Sequence, residues 1–169
     1  MTTNVLYALF ILAFIVHDGE ELAVQHKWVM EHGEALCAKL PKLRLLFNHI
    51  RKLNTKAFAI AVFEELALLI AITAYALIGG PYSAELWSAV FMAFSFHLIV
   101  HVIQAIVVRG YVPGLVSSIL LLPFSYLGMQ SICNTFNVSQ LLLYGTVGVV
   151  LMLANLAIAH LFGMKMAKF

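Results

Sequence analysis

Five apolar stretches in this chain are each long enough, at about 20 residues, to cross the hydrocarbon core of a bilayer as a helix. They run near 3–25, 57–78, 84–108, 112–134 and 140–163. Breakers separate the later ones: Gly79-Gly80-Pro81, the turn from Gly110 to Gly114, and Asn134 to Ser139. Only 11% of the residues are charged, against roughly 25% in a soluble domain. Backbone polar groups in lipid must be satisfied within the chain, which leaves helices or closed barrels. The apolar runs are continuous, not alternating, so the expected fold is all-α, a single bundle of about five transmembrane helices over 1–169.

The segment 26–56 differs. It holds Lys27, Lys39, Lys42, Arg44, Arg51, Lys52 and Lys56, seven of the ten basic residues. Leu43, Leu46, Phe47, Ile50 and Leu53 recur there at helical spacing between basic and polar residues. This predicts an amphipathic helix on the membrane surface. With that segment in the cytoplasm and five crossings, Arg109, Lys165 and Lys168 also fall inside, as the positive-inside rule requires. The expected orientation in a plasma (inner) membrane is N-terminus out and C-terminus in. The first apolar stretch ends in acids and lacks a small-residue cleavage site, so it is expected to be a retained span.

Nine ionisable side chains interrupt the apolar stretches: His17, Asp18, Glu20, Glu21, Glu64, Glu65, His97, His101 and His160. Each costs a few kcal/mol or more in hydrocarbon, so such residues face a bundle interior with a partner. In the expected topology all nine fall in the same half of the bilayer. His17, Glu20 and Glu21 stand at i, i+3 and i+4, and His97 and His101 at i and i+4, so each set shares a helix face. Glu64 and Glu65 are about 100° apart on a helix. Small residues at 57, 61 and 71 favour Glu64 as the inward one.

Imidazoles and carboxylates without thiolate fit iron, zinc or manganese better than copper(I). The expected metal ligands are His17, Glu21, Glu64, His97, His101 and His160, with Glu20 or Glu65 left to bridge or act as base. That inventory exceeds one tetrahedral ion and predicts two divalent metal ions, as helical bundles build them. Gln104, Arg109 and Tyr111 are expected to support the ligands or contact substrate. The two cysteines, Cys37 and Cys133, have no metal-site spacing.

His17-Asp18-Gly19-Glu20-Glu21 resembles the motif of the HXXEE domain family of small integral membrane proteins. Glu64-Glu65, the His97–His101 pair and Arg109-x-Tyr111-x-Pro113-Gly114 are similar to its further motifs. The resemblance implies a metal-dependent membrane enzyme without fixing its reaction. Two chemistries follow: oxygen activation at a di-iron centre, marginally favoured for its carboxylate count, or hydrolysis at zinc. The expected substrate is a membrane lipid or another apolar molecule, with no nucleic-acid partner. The rival is a proton or metal-ion transporter, which needs polar groups across the full thickness; the outer half here has few.

Overall fold

The computed structural model describes residues 3–168, apart from the side chains of Thr3 and Leu43. All of its regular structure is helical: α1 (Thr3–Lys39), a 3-10 turn (Pro41–Leu43), α2 (Arg44–Ile50), α3 (Thr55–Leu77), α4 (Ser83–Val108), α5 (Leu115–Thr135) and α6 (Val138–Met166). Among the described residues, α3, α4, α5 and α6 are long and apolar enough to cross a membrane. The fifth expected span is the apolar first half of α1, which runs on into the acidic motif and a charged extension.

The segment 26–56 departs from expectation. Residues 26–39 continue α1 without a break, because no proline interrupts them until Pro41. Pro41 disfavours a helical conformation at the residue before it, and Leu40 takes φ −129° and ψ 68°. The expected amphipathic helix shrinks to the seven residues of α2. Of its stripe, Leu53 is buried, Phe47 and Ile50 are half-buried and Leu46 is exposed, while Leu43 lies outside the described side chains.

Caps fix the later boundaries. Asn54 accepts from the Ala57 amide at 2.8 Å and starts α3. Asn137 and Gln140 form a reciprocal capping box at α6. Arg109 and Gly114 adopt left-handed backbone at either end of the α4–α5 turn, with φ 58° and 79°.

The core forms where a face of α1 meets a face of α4. On α1, Leu6, Phe10, Ala13 and His17 follow one another at steps of four, three and four, and all are buried. On α4, Trp87, Phe91, Phe94, Leu98 and His101 do the same. Such spacing keeps one narrow stripe facing a neighbouring helix. Phe10 sits in an aromatic nest, with ring centroids 5.4 Å from Trp87, 5.1 Å from Phe91 and 5.2 Å from Phe94. The edge-to-face pairs with Trp87 and Phe91 each contribute about 0.5–1.5 kcal/mol beyond their buried area. α3 and α5 flank α1, and α4 lies centrally against α3, α5 and α6. Away from these seams the helices expose large apolar side chains such as Ile70, Ile106, Leu120 and Leu142, as lipid-facing surfaces do.

Small residues set the closest approaches. A Cβ on Gly148 would strike the Ala89 carbonyl of α4, and one on Gly163 the Ala57 carbonyl of α3. Gly148→Ala should therefore cost roughly 1–3 kcal/mol. Gly19→Ala meets open space and should be neutral or gain up to about 1 kcal/mol from helix propensity. Thermal unfolding of the two variants in the same detergent measures the contrast.

Candidate metal centre

Both stripes of the α1–α4 seam end in histidine. One heptad-like step past Ala13 brings His17 to the seam, and one past Leu98 brings His101. The next helical turn of α1 carries Glu21, and His97 stands one turn before His101. Ligand atoms of His17, Glu21, His97 and His101 all lie within 4.8 Å of one another. The imidazole centroids are 5.1 Å apart for His17–His97, 4.9 Å for His17–His101 and 4.4 Å for His97–His101. His101 Nε2 is 2.9 Å from His97 Nε2 and 3.3 Å from Glu21 Oε1. His17 is fully buried and His101 nearly so.

The surroundings orient His17. Ser117, in the first turn of α5, donates its hydroxyl to the Gly114 carbonyl at 3.2 Å. Its oxygen is then free to accept from His17 Nδ1–H at 3.0 Å. That network assigns the proton to Nδ1 and leaves Nε2 bare. Among the described residues, His17 Nε2 has no hydrogen-bond partner. A buried nitrogen without a partner is costly, and a metal ion held there would satisfy it. Metal-binding histidines are commonly held in this way, by a hydrogen bond at the other ring nitrogen. Gly114 closes the site: a Cβ there would stand 3.0 Å from Cε1 of both His17 and His101.

Glu20 does different work from Glu21. Its carboxylate accepts from the Tyr111 hydroxyl at 2.8 Å, the Val116 amide at 3.3 Å and the Ser117 amide at 2.6 Å. The two amides are among the otherwise unpaired N–H groups that open α5, where negative charge is favoured. Glu20 thus latches α1 to the start of α5 and is not left free as a base. Tyr111, in the turn, has its hydroxyl pushed up to about 12 by burial and by this bond to Glu20. It remains a donor at physiological pH. The Trp28 indole donates to the Tyr111 carbonyl at 3.0 Å, fastening the same turn to the α1 extension.

Other expected ligands lie elsewhere. Glu64 accepts from Asn155 of α6 at 3.2 Å, away from the histidines. Glu65, not Glu64, turns toward α1, where it lies within electrostatic reach of Asp18 and Glu21. Of the small residues of α3, Ala57 meets Gly163 of α6. That contact marks close packing of α3 on α6, not the metal side, so the expected choice between the two glutamates is reversed. His160 is also corrected. It lies beside His49, with centroids 5.6 Å apart, and Phe58, at 6.2 Å, because it sits on α6, which packs on α3 and α4. Gln104 and Arg109 are exposed, the latter capping α4. The six expected ligands thus reduce to four that converge.

The fold and this site define a helical membrane bundle with a buried His/Glu group able to hold a metal ion. The chain belongs to the HXXEE family, described as proteins of unknown function with an HXXEE motif, whose profile matches residues 8–128. The match spans all four converging residues, Glu20, Gly114 and Ser117, and ends before His160. No curated protein and no solved structure matches the chain.

Ser117→Ala removes the partner of His17 Nδ1 and should weaken metal binding about 10–100-fold while the fold persists. Gly114→Ala, which adds both positive-φ strain and a clash with two imidazoles, should weaken it further. Competition with a metal-sensitive dye gives the affinities.

Proposed function

We propose that the chain is a metal-dependent membrane enzyme that holds one divalent ion on His17, His97, His101 and Glu21 and acts on an apolar substrate. The observation that carries this reading is the convergence of three imidazoles and a carboxylate within 4.8 Å, with His17 Nε2 oriented and bare. Three nitrogens and one oxygen suit zinc or iron(II), and the absence of thiolate disfavours copper(I). With one ion, hydrolysis becomes the favoured chemistry. A zinc ion at such a site supplies a water that ionises near neutral pH.

The chain's own residues fit the rest of that role. His17 is held by Ser117, and the α4 pair is held by its helix. Among the described residues Glu65 makes no side-chain hydrogen bond, so its carboxylate is left to accept a proton beside the group. Phe94, 5.8 Å from His17 by ring centroid, walls the site off from water on the core side. The group lies at the end of the bundle that carries Trp28, Tyr111 and Arg109, the end we place in the cytoplasm of a plasma (inner) membrane. An ester or amide of a membrane lipid reaches such a depth from the inner interface.

A second reading keeps two ions, with iron and oxygen chemistry. What favours it is the set Asp18, Glu21 and Glu65, three carboxylates that no lysine or arginine pairs among the described residues. Asp18, Glu21 and Glu65 would hold the second ion.

Metal analysis by mass spectrometry on protein purified without a metal-affinity step separates these readings. One zinc per chain supports the first and two irons support the second. His97→Ala/His101→Ala should lose the metal, whereas Glu64→Gln and His160→Ala should keep it. Retention of metal by the double mutant, or its absence from the unmutated protein, sinks both readings.

A further inference from the structure

Between the charged extension of α1 and one face of α2 lies a cavity of about 370 Å³. Arg44, Asn48 and Arg51 line it from α2. They stand at i, i+4 and i+7, so they share a helix face, and the Arg51 amide keeps the helical bond to the Phe47 carbonyl at 2.9 Å. Glu34 and Cys37 of α1 line the opposite wall. Arg51 rests its stem on α1, where a Cβ on Gly33 would stand 3.7 Å from Arg51 Cδ. Its guanidinium donates to Glu34 at 3.5 Å, a long contact to a side chain that is 83% exposed. Such a pair contributes little, and it uses one of the five N–H donors of a guanidinium. Among the described residues Arg44 and Asn48 make no side-chain hydrogen bond or ion pair. The cavity thus presents guanidinium and amide donors that the fold does not use.

The cavity lies at a membrane surface. α2 ends at Ile50, five residues before α3 begins at Thr55, and its His49 lies against His160, six residues before the end of α6. α2 also exposes Leu45 and Leu46, at 85% and 51%. Apolar side chains beside basic ones suit a helix seated at the headgroup boundary. Segment 26–56 holds seven lysines and arginines but two acids, Glu31 and Glu34, which pair with Lys27 and Arg51. The other five cations have no acidic partner among the described residues. Arginine forks bind phosphate through two parallel hydrogen bonds, and phosphate is the anion that the headgroup layer supplies. The two arginines and Glu34 leave the cavity one positive charge in excess. A headgroup of net charge minus one neutralises it; a zwitterionic headgroup, which brings its own cation, does not. We infer that the cleft between the α1 extension and α2 is a binding site for an anionic glycerophospholipid of the adjoining leaflet, its phosphate received by Arg44, Asn48 and Arg51. The site is separate from the metal centre and does not depend on it.

The test is native mass spectrometry of the full-length protein in mild detergent with equal amounts of phosphatidylglycerol and phosphatidylcholine. One phosphatidylglycerol per chain should be retained in preference to phosphatidylcholine. Arg44→Gln/Arg51→Gln should lower that preference about tenfold or more, the worth of a hydrogen bond to a charged group. Lys52→Gln/Lys56→Gln removes the same charge outside the cavity and should change it less than about threefold. Glu34→Gln takes away the competing carboxylate and should strengthen the preference. Arg44 is exposed, so Arg44→Gln alone reports on the site even if loss of Arg51 disturbs α2. Sodium phosphate at millimolar concentration should leave the lipid bound; displacement by it shows a site for free phosphate and overturns the lipid assignment. Equal retention of the two lipids, a lysine variant as damaging as the arginine variant, or a preference that Glu34→Gln weakens overturns the inference.

Discussion

The α1–α4 seam is the contact on which the site depends. Two stripes of the same alternating four-and-three spacing face each other, Phe10 of α1 against the aromatics of α4, and each ends in histidine. Packing and ligation therefore use the same register. Phe10 locks between Trp87, Phe91 and Phe94, and this fixes the height of α1 relative to α4. Two turns further along, the same register sets His17 against His97 and His101. A slip of α1 by one turn, about 5.4 Å, would move His17 off the pair by more than the 4.8 Å that spans the whole group. The aromatic nest thus positions the ligands as well as burying area.

The α4–α5 turn completes what the seam begins. Its left-handed residues, Arg109 and Gly114, reverse the chain tightly enough to set the first turn of α5 against His17. Gly114 is the position where a side chain is excluded twice, by its φ of 79° and by the two imidazoles against it. Ser117 and the opening amides of α5 then serve α1: the hydroxyl orients His17, and the amides receive Glu20. A helix N-terminus carries partial positive charge, so the carboxylate of Glu20 finds there what no lysine or arginine supplies.

Much of this is legible in the sequence, and the part that is not has a physical reason. Helix faces follow from spacing alone, so the amino-acid pattern pairs His17 with Glu21 and His97 with His101. The turn at Gly110–Gly114 is visible from its glycines and proline. Depth along the membrane is a weaker guide. His160 shares the depth of the cluster but belongs to α6, which faces α3 and α4; a residue at the right height on the wrong helix cannot be excluded by counting. Spacing misassigns Glu64 and Glu65 because small residues mark close packing without saying against which helix. Ser117 carries no signal of its own. It lies 100 residues from His17, and a serine in the first turn of a helix most often serves its own backbone.

The adjacent glutamates of the chain share a common logic. Neighbouring positions on a helix diverge by about 100°, so a Glu-Glu pair on one helix addresses two neighbours and cannot concentrate on one. On α1, Glu20 goes to α5 and Glu21 to the histidines of α4. On α3, Glu64 goes to Asn155 of α6, while Glu65 faces the acids of α1. The two residues of each pair are therefore unequal in kind. Glu20 and Glu64 have neutral donors that serve them without a metal. Glu21 and Glu65 have imidazoles or other carboxylates beside them, and only a proton or a cation relieves that arrangement. The same reasoning separates the parts of the motif itself: His17 and its second glutamate belong to the group that could hold an ion, and its first glutamate belongs to the fold.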